Sequence, residues 1–186
     1  MKYSSTPLIF AVGIFLNVTG YFLIEVFKIY VDNYFFLDAT GTILAGVVLG
    51  PLMGGITGLV SNLIFGIVFS PVNIPFAIVN LIIGVTAGII AKKMGFKGAR
   101  VLITATVIIA VITSLSSAVV AYFFFGGATG LKIDLNIISL INMGLNSIFS
   151  SFLVRLPVNL LDKGISIIIV IILLSFTSKK IDSKNE

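Results

Sequence analysis

The sequence has no cysteine, no histidine and no tryptophan, and only 10% of its residues are charged. Without cysteine or histidine there is no thiolate nucleophile, no histidine-based triad and no imidazole-held metal. No P-loop motif occurs, so the chain does not by itself cradle a nucleoside triphosphate in the usual way. No carboxylate pair stands at a catalytic spacing, and neither an enzymatic activity nor a cofactor is expected. Disulfides give no sign of compartment, and there is no indole on which a ligand could stack.

What is present is apolar: 58% of 186 residues are hydrophobic, and the mean hydropathy is +1.20. An ordinary soluble domain is roughly 45–50% apolar and about 25% charged, so this chain lacks the charge to cover its own apolar surface. A membrane-crossing helix takes roughly 20 apolar residues, so the length suits about one domain with six or so spans. The fold class expected is an all-α integral membrane protein, a single transmembrane domain over residues 1–186 set in a lipid bilayer. The net charge of +5 would suggest nucleic acid in a soluble protein. Here the cations sit in loops, where the positive-inside rule explains them, and no nucleic-acid partner is expected.

The apolar segments place spans at about 7–29, 39–50, 51–69, 74–94, 100–124 and 157–177. Met1–Thr6 is short, and the run Pro7–Ile29 carries Asn17 and Glu25 and lacks a small-x-small exit. It therefore reads as a first span and not as a cleavable signal. Residues 39–69 could form one helix kinked at Pro51 or a tight hairpin turning at Gly50-Pro51. Lysine and arginine arbitrate: Lys2, the loop with Lys92, Lys93, Lys97 and Arg100, and the tail with Lys179, Lys180 and Lys184 all belong on the cytoplasmic side. The hairpin satisfies that parity, and proline's missing N–H favours a helix ending at Gly50 and restarting at Pro51.

The same parity allows two crossings between Arg100 and Lys179, so one of the two C-terminal segments does not span. Leu135–Val154 is the better candidate, because Asn136, Ser139, Asn142, Asn146 and Ser150 recur at three- and four-residue steps as one polar stripe. Such a helix suits an interface or a water-filled cavity. The expectation is six transmembrane helices in the cell membrane, both termini cytoplasmic, with a short helix 2–helix 3 hairpin and an extra polar-striped outer segment before the last helix. Asp32, Asp38, Lys132 and Asp134 then lie outside.

The strongest local pattern is glycine. Gly46, Gly50, Gly54 and Gly58 recur every four residues, continued by Asn62 and Gly66, and Gly84 and Gly88 repeat the pattern beside Ala87 and Ala91. Small residues at this spacing let helix backbones approach closely. They serve either internal packing or docking of a partner membrane subunit.

Polar residues inside apolar spans are expensive and usually face an interior. Asp162 and Lys163, adjacent on a helix, point about 100° apart and are expected to pair with other groups, such as Arg155 or Glu25, or with a ligand. In the topology above Glu25, Asp38, Asn73, Asn80, Asn146, Arg155, Asn159 and Asp162 all fall in the outer half, with Asn142 on the polar stripe. That convergence suggests an outward-facing pocket, with Asp38, Asn73, Asn80, Asn142, Asn146, Arg155, Asn159 and Asp162 as candidate binding residues. Tyr30, Tyr34, Phe35, Phe36 and Tyr122–Phe125 read as interfacial belts or as a stacking surface under a gating loop.

The run Phe36-Leu37-Asp38-Ala39-Thr40-Gly41-Thr42, with Gly50-Pro51-Leu52-Met53-Gly54-Gly55, Gly58 and Asn62, resembles the second and third helices of the substrate-binding S components of energy-coupling factor (ECF) vitamin transporters. Ser70-Pro71 to Asn80 with Gly84 and Gly88 resembles their fourth helix, and Leu156 to Gly164 the opening of their last. The resemblance covers roughly residues 36–177. It implies a subunit that captures a vitamin or related micronutrient outside the cell and topples to release it inward. It also implies a transmembrane coupling subunit and two ATPase subunits as partners. In that family an Ala-x-x-x-Ala pattern on the first helix often docks the coupling subunit; here Ala11, Gly13 and Gly20 lack that spacing. Docking would then fall to Gly46, Gly50, Gly54 and Gly58 or to Ala87 and Ala91. The alternative is a ligand-sensing or scaffolding membrane protein of the same fold without transport.

Overall fold

A computed structural model describes residues 6–27, 37–130 and 133–182, with side chains for 6–26, 37–130 and 133–176. Lys2, Tyr30, Asp32, Tyr34, Phe35, Phe36, Lys132 and Lys184 lie outside the described residues, as do the side chains of Lys179 and Lys180. Among those described, the chain forms seven α-helices and no strand: α1 (Thr6–Phe27), α2 (Thr40–Leu49), α3 (Pro51–Val68), α4 (Ala77–Met94), α5 (Gly98–Phe125), α6 (Asp134–Asn142) and α7 (Ser147–Asp182). Five of them, α1, α3, α4, α5 and α7, are long and apolar enough to cross a membrane, so the molecule is a multi-pass helical membrane protein. Their outward faces carry residues such as Phe15, Ile67, Ile103 and Phe176, all more than half exposed, as suits contact with hydrocarbon.

The α2–α3 hairpin turns on a single residue. Gly50 sits at φ +96°, a conformation that suits glycine, and Pro51 opens α3 at a position where its missing N–H has no intrahelical partner to lose. The two helices run back antiparallel: a Cβ on Gly54 would stand 2.8 Å from the Gly46 nitrogen, and one on Gly58 3.0 Å from Thr42 Cγ2. α4 lies on both. A Cβ on Gly46 would stand 2.5 Å from the Gly84 carbonyl oxygen, and one on Gly88 2.5 Å from the Pro51 nitrogen. Glycine thus brings three backbones into contact where any side chain would separate them.

α2 has 10 residues, about 15 Å of helix and half of the roughly 30 Å hydrocarbon core. Its far end, at Gly50, lies next to Lys92, whose Cε is 3.8 Å from where a Gly50 Cβ would be. Its start therefore lies well inside the bundle. A residue on another helix caps it: Asn17 of α1, fully buried, accepts from the Gly41 (2.7 Å) and Thr42 (3.2 Å) N–H groups through Oδ1. Asn17 Nδ2 donates to Thr42 Oγ1 (2.8 Å) and Ser61 Oγ (2.9 Å), which ties α1, α2 and α3 together. Ile43, Ile83, Ile109, Ile167 and Val170 fill the apolar core on the basic side of this level.

Several boundaries differ from the sequence expectation. The fourth span begins at Ala77, not Ile74, because Pro71–Asn73 form a 3-10 turn and residues 74–76 continue as turns before the regular helix starts. The last helix begins at Ser147 and carries Pro157 inside it; the expected start at Pro157 is ten residues late. The polar stripe over 135–154 is not one helix. Gly144, at φ +93°, ends the α6 turn. Asn146 then caps α7 by accepting from the Ile148 N–H at 2.9 Å. Asn136, Ser139 and Asn142 consequently ride on α6, and Ser150 is buried on α7.

Candidate functional site

A cavity of about 280 Å³ lies among α1, α3, α4, α5, α7 and the segment joining α5 to α6. It occupies the part of the bundle away from the basic α4–α5 turn: its Asn80 stands twelve residues before Lys92, about 18 Å along α4. Its floor is a charge cluster beside the start of α2. Lys163 Nζ donates to Asp162 Oδ2 at 2.5 Å and to Asp38 Oδ1 at 3.3 Å. Asp162, fully buried, also accepts from the Leu37 N–H at 2.8 Å. That bond holds Leu37 at φ +43°, a strained conformation for leucine. The neighbours Asp162 and Lys163 do pair, contrary to the helical-wheel expectation, because the lysine stem bends where a rigid spoke would not.

One wall is a chain of amides. Asn62 Nδ2 donates to the Asn73 carbonyl (3.2 Å), and Asn80 Nδ2 to Asn62 Oδ1 (2.7 Å) and the Asp38 carbonyl (3.3 Å). Asn73 Nδ2 donates to Tyr21 Oη (3.0 Å) and the Ser70 carbonyl (3.2 Å). Backbone carbonyls only accept, so they fix which way each amide faces. The Oδ1 of Asn80, a residue only 2% exposed, is left with no hydrogen-bond partner among the described residues.

The other wall belongs to α5 and α7. Arg155 Nε donates to Ser151 Oγ at 3.0 Å, and its Nη2 stands 3.7 Å from Asp134 Oδ1, an ion pair beyond hydrogen-bond reach. Asp134 is engaged elsewhere, accepting from the Thr129 N–H at 2.6 Å and its hydroxyl at 3.2 Å. Arg155 Nη2 therefore has no hydrogen-bond partner among the described residues, and neither has Thr113 Oγ1. The Arg155 guanidinium lies 6.0 Å from the centroid of the Phe76 ring, which stacks on Phe125 at 6.0 Å. Asn159 Nδ2 donates to Ser114 Oγ at 2.9 Å.

Of the residues singled out from sequence, Glu25, Asp38, Asn73, Asn80, Arg155 and Asn159 line this cavity. Asp162 lies beneath it as the partner of Lys163. Asn142 and Asn146 are exposed and away from it, on α6 and at the cap of α7. Among the small residues, Gly46, Gly54, Gly58 and Ala87 are buried within this chain, while Gly50 and Ala91 are half-buried. Tyr122, Phe123 and Phe124 face outward, and only Phe125 of that run turns in to Phe76.

Asn62, Tyr21, Phe76, Thr113, Ser117 and Thr129 also line the cavity and were not among the candidates. Asn62 carried a signal: it interrupts a run of glycines that otherwise contact α4. Thr113 and Ser117 carried a weaker one, hydroxyls one turn apart in an apolar helix. A second, shallower hollow of about 620 Å³ between α6 and α7 is lined by Asn136, Ser139, Leu140 and Leu161 among others and has no charged group.

The helices and the cavity define a multi-pass helical membrane protein with a polar pocket in one half of its bundle. Comparison with protein-family models, with curated proteins and with solved structures finds no match.

Proposed function

We propose that the chain is the substrate-capture subunit, the S component, of an ECF-type importer. It binds a vitamin or related micronutrient near the outer face and delivers it inward by toppling. A transmembrane coupling subunit and two ATPase subunits supply the hydrolysis. The observation that carries the binding step is the set of Asn80 Oδ1, Thr113 Oγ1 and Arg155 Nη2, buried polar atoms at the cavity without hydrogen-bond partners among the described residues. Each such atom costs about 1–3 kcal/mol while unpaired, and a small polar molecule in the cavity supplies the missing partners.

In this reading the chain crosses the cell membrane six times with both termini cytoplasmic, the second crossing carrying α2 and α6 lying at the outer face. The basic residues Lys92, Lys93, Lys97 and Arg100 then face inward. The ladder glycines are committed to contacts inside the chain, which leaves docking of the coupling subunit to exposed apolar faces such as Leu8, Phe15 and Phe22 of α1. That commitment also favours a second reading, a ligand sensor or scaffold without transport.

Reconstitution into proteoliposomes with a coupling subunit and ATPases separates them. ATP-dependent uptake of one vitamin or related compound is expected. A bound molecule without uptake selects the sensor, and neither binding nor uptake across the B vitamins ends both readings.

A further inference from the structure

We propose that the molecule this cavity takes carries a protonated nitrogen, met by Asp38 and Asn80, and a hydrogen-bond acceptor at its other end, met by Arg155. The inference rests on the capture reading and narrows its substrate class.

The floor cluster sets the first half. Asp38 shares the Lys163 ammonium with Asp162, so among the described residues its carboxylate has only part of one countercharge inside an apolar bundle. The two acids are not equivalent. Asp162 is fully buried, takes the shorter contact with Lys163 and also holds the Leu37 N–H. Asp38 takes the longer contact, 3.3 Å, and its side chain keeps 23% exposure where it lines the cavity. Asp38 is therefore the acid that turns its incompletely countered carboxylate to the cavity. Beside it stands the Asn80 Oδ1, an acceptor without a donor, whose own amide nitrogen is committed to the Asp38 carbonyl. A carboxylate and an amide oxygen together call for N–H donors, and a cationic nitrogen supplies donors and countercharge in one group.

Arg155 sets the second half. It precedes Lys163 by eight residues on α7, about 12 Å along the helix, and its Nη2 is a donor without an acceptor. Its counter-ion Asp134 is occupied by Thr129. A carbonyl, hydroxyl or carboxylate on the bound molecule completes it, and the Thr113 hydroxyl accepts or donates as required. Amines, amidines and amino-heterocycles bearing an oxygen function fit this arrangement. A purely anionic molecule would meet repulsion from Asp38.

The test is to purify the full chain, extract what stays bound and identify it by mass spectrometry in both ionisation modes. Asp38→Asn and the remote Asn142→Ala are prepared in parallel. The expected result is an enriched small molecule with a basic nitrogen, retained by Asn142→Ala and reduced tenfold or more in Asp38→Asn. Because Asp38→Asn could fail to fold, the wild-type protein is also melted, followed by circular dichroism, with millimolar benzamidine, benzamide or benzoate. Benzamidine should raise the melting temperature most and benzoate least. An enriched molecule without a basic nitrogen, or benzoate stabilising as well as benzamidine, overturns the inference and leaves the capture reading standing. No enriched molecule and no shift with any of the three probes removes the capture reading, and this inference with it.

Discussion

Gly54 of α3 and Gly84 of α4 meet backbone against backbone: a Cβ on Gly54 would stand 2.7 Å from the Gly84 carbonyl oxygen. Neither helix can yield there without losing its other close contacts, at Gly46–Gly84 and Gly88–Pro51. Gly54→Ala should therefore destabilise the folded protein by about 1–3 kcal/mol, and Gly54→Leu should abolish a folded yield. Gly164→Ala is the control, since its added Cβ would find only ordinary contact at 3.5 Å with Thr106. Thermal unfolding in detergent, followed by circular dichroism, should show a lower midpoint for Gly54→Ala and an unchanged or higher one for Gly164→Ala. Equal midpoints for the two would mean that the ladder is composition without packing consequence.

Asn17→Leu should destabilise by at least about 2 kcal/mol, because it strips the buried Gly41 and Thr42 N–H groups of their acceptor and Ser61 of a partner. Its measured signature is specific. Hydrogen exchange should accelerate first in the opening turn of α2, at residues 41 and 42, before the rest of the bundle is affected.

Thr113→Val replaces a buried hydroxyl that has no partner among the described residues with a methyl group of the same shape. The unliganded protein should be as stable as wild type or more stable by about 1 kcal/mol, while affinity for the bound molecule falls several-fold. Arg155→Ala should weaken binding more strongly, and it should still insert and fold. Paired melting and binding measurements check both, and a Thr113→Val protein that is less stable yet binds normally would assign the hydroxyl a purely structural role.

The absence of native cysteine makes orientation directly measurable. Lys97→Cys, at the exposed N-cap of α5, and Asn142→Cys, exposed at the end of α6, should respond differently to an impermeant thiol reagent on intact cells. Only the α6 cysteine should be labelled. Labelling at position 97 alone would invert the topology and with it the outward-facing pocket.

What sequence reveals here depends on the range of the forces involved. The Gly50-Pro51 turn was legible because both residues answer local backbone demands, a positive φ and an N–H that need not exist. The close helix packing was legible in the four-residue glycine step for the same reason. The polar stripe misled because the three- and four-residue arithmetic assumes an unbroken helix, and Gly144 breaks it. Asp162 and Lys163 misled because the arithmetic treats side chains as fixed spokes, whereas Lys163 folds back to its neighbour and on to Asp38. The cavity alcohol Thr113 was only faintly legible, through Ser117 one turn on: a hydroxyl in an apolar helix usually bonds a carbonyl one turn back, as Ser116 does to Ile112, and spacing alone does not separate the two cases.

Pro157 breaks the hydrogen-bond ladder of α7 between Arg155 and Asn159. Its nitrogen bears no hydrogen, so the Leu153 carbonyl loses the partner a regular helix would give it. The two grips of the cavity wall, Arg155 on one side and the Asn159–Lys163 stretch on the other, accordingly share one continuous helix yet flank the rung that proline deletes from it.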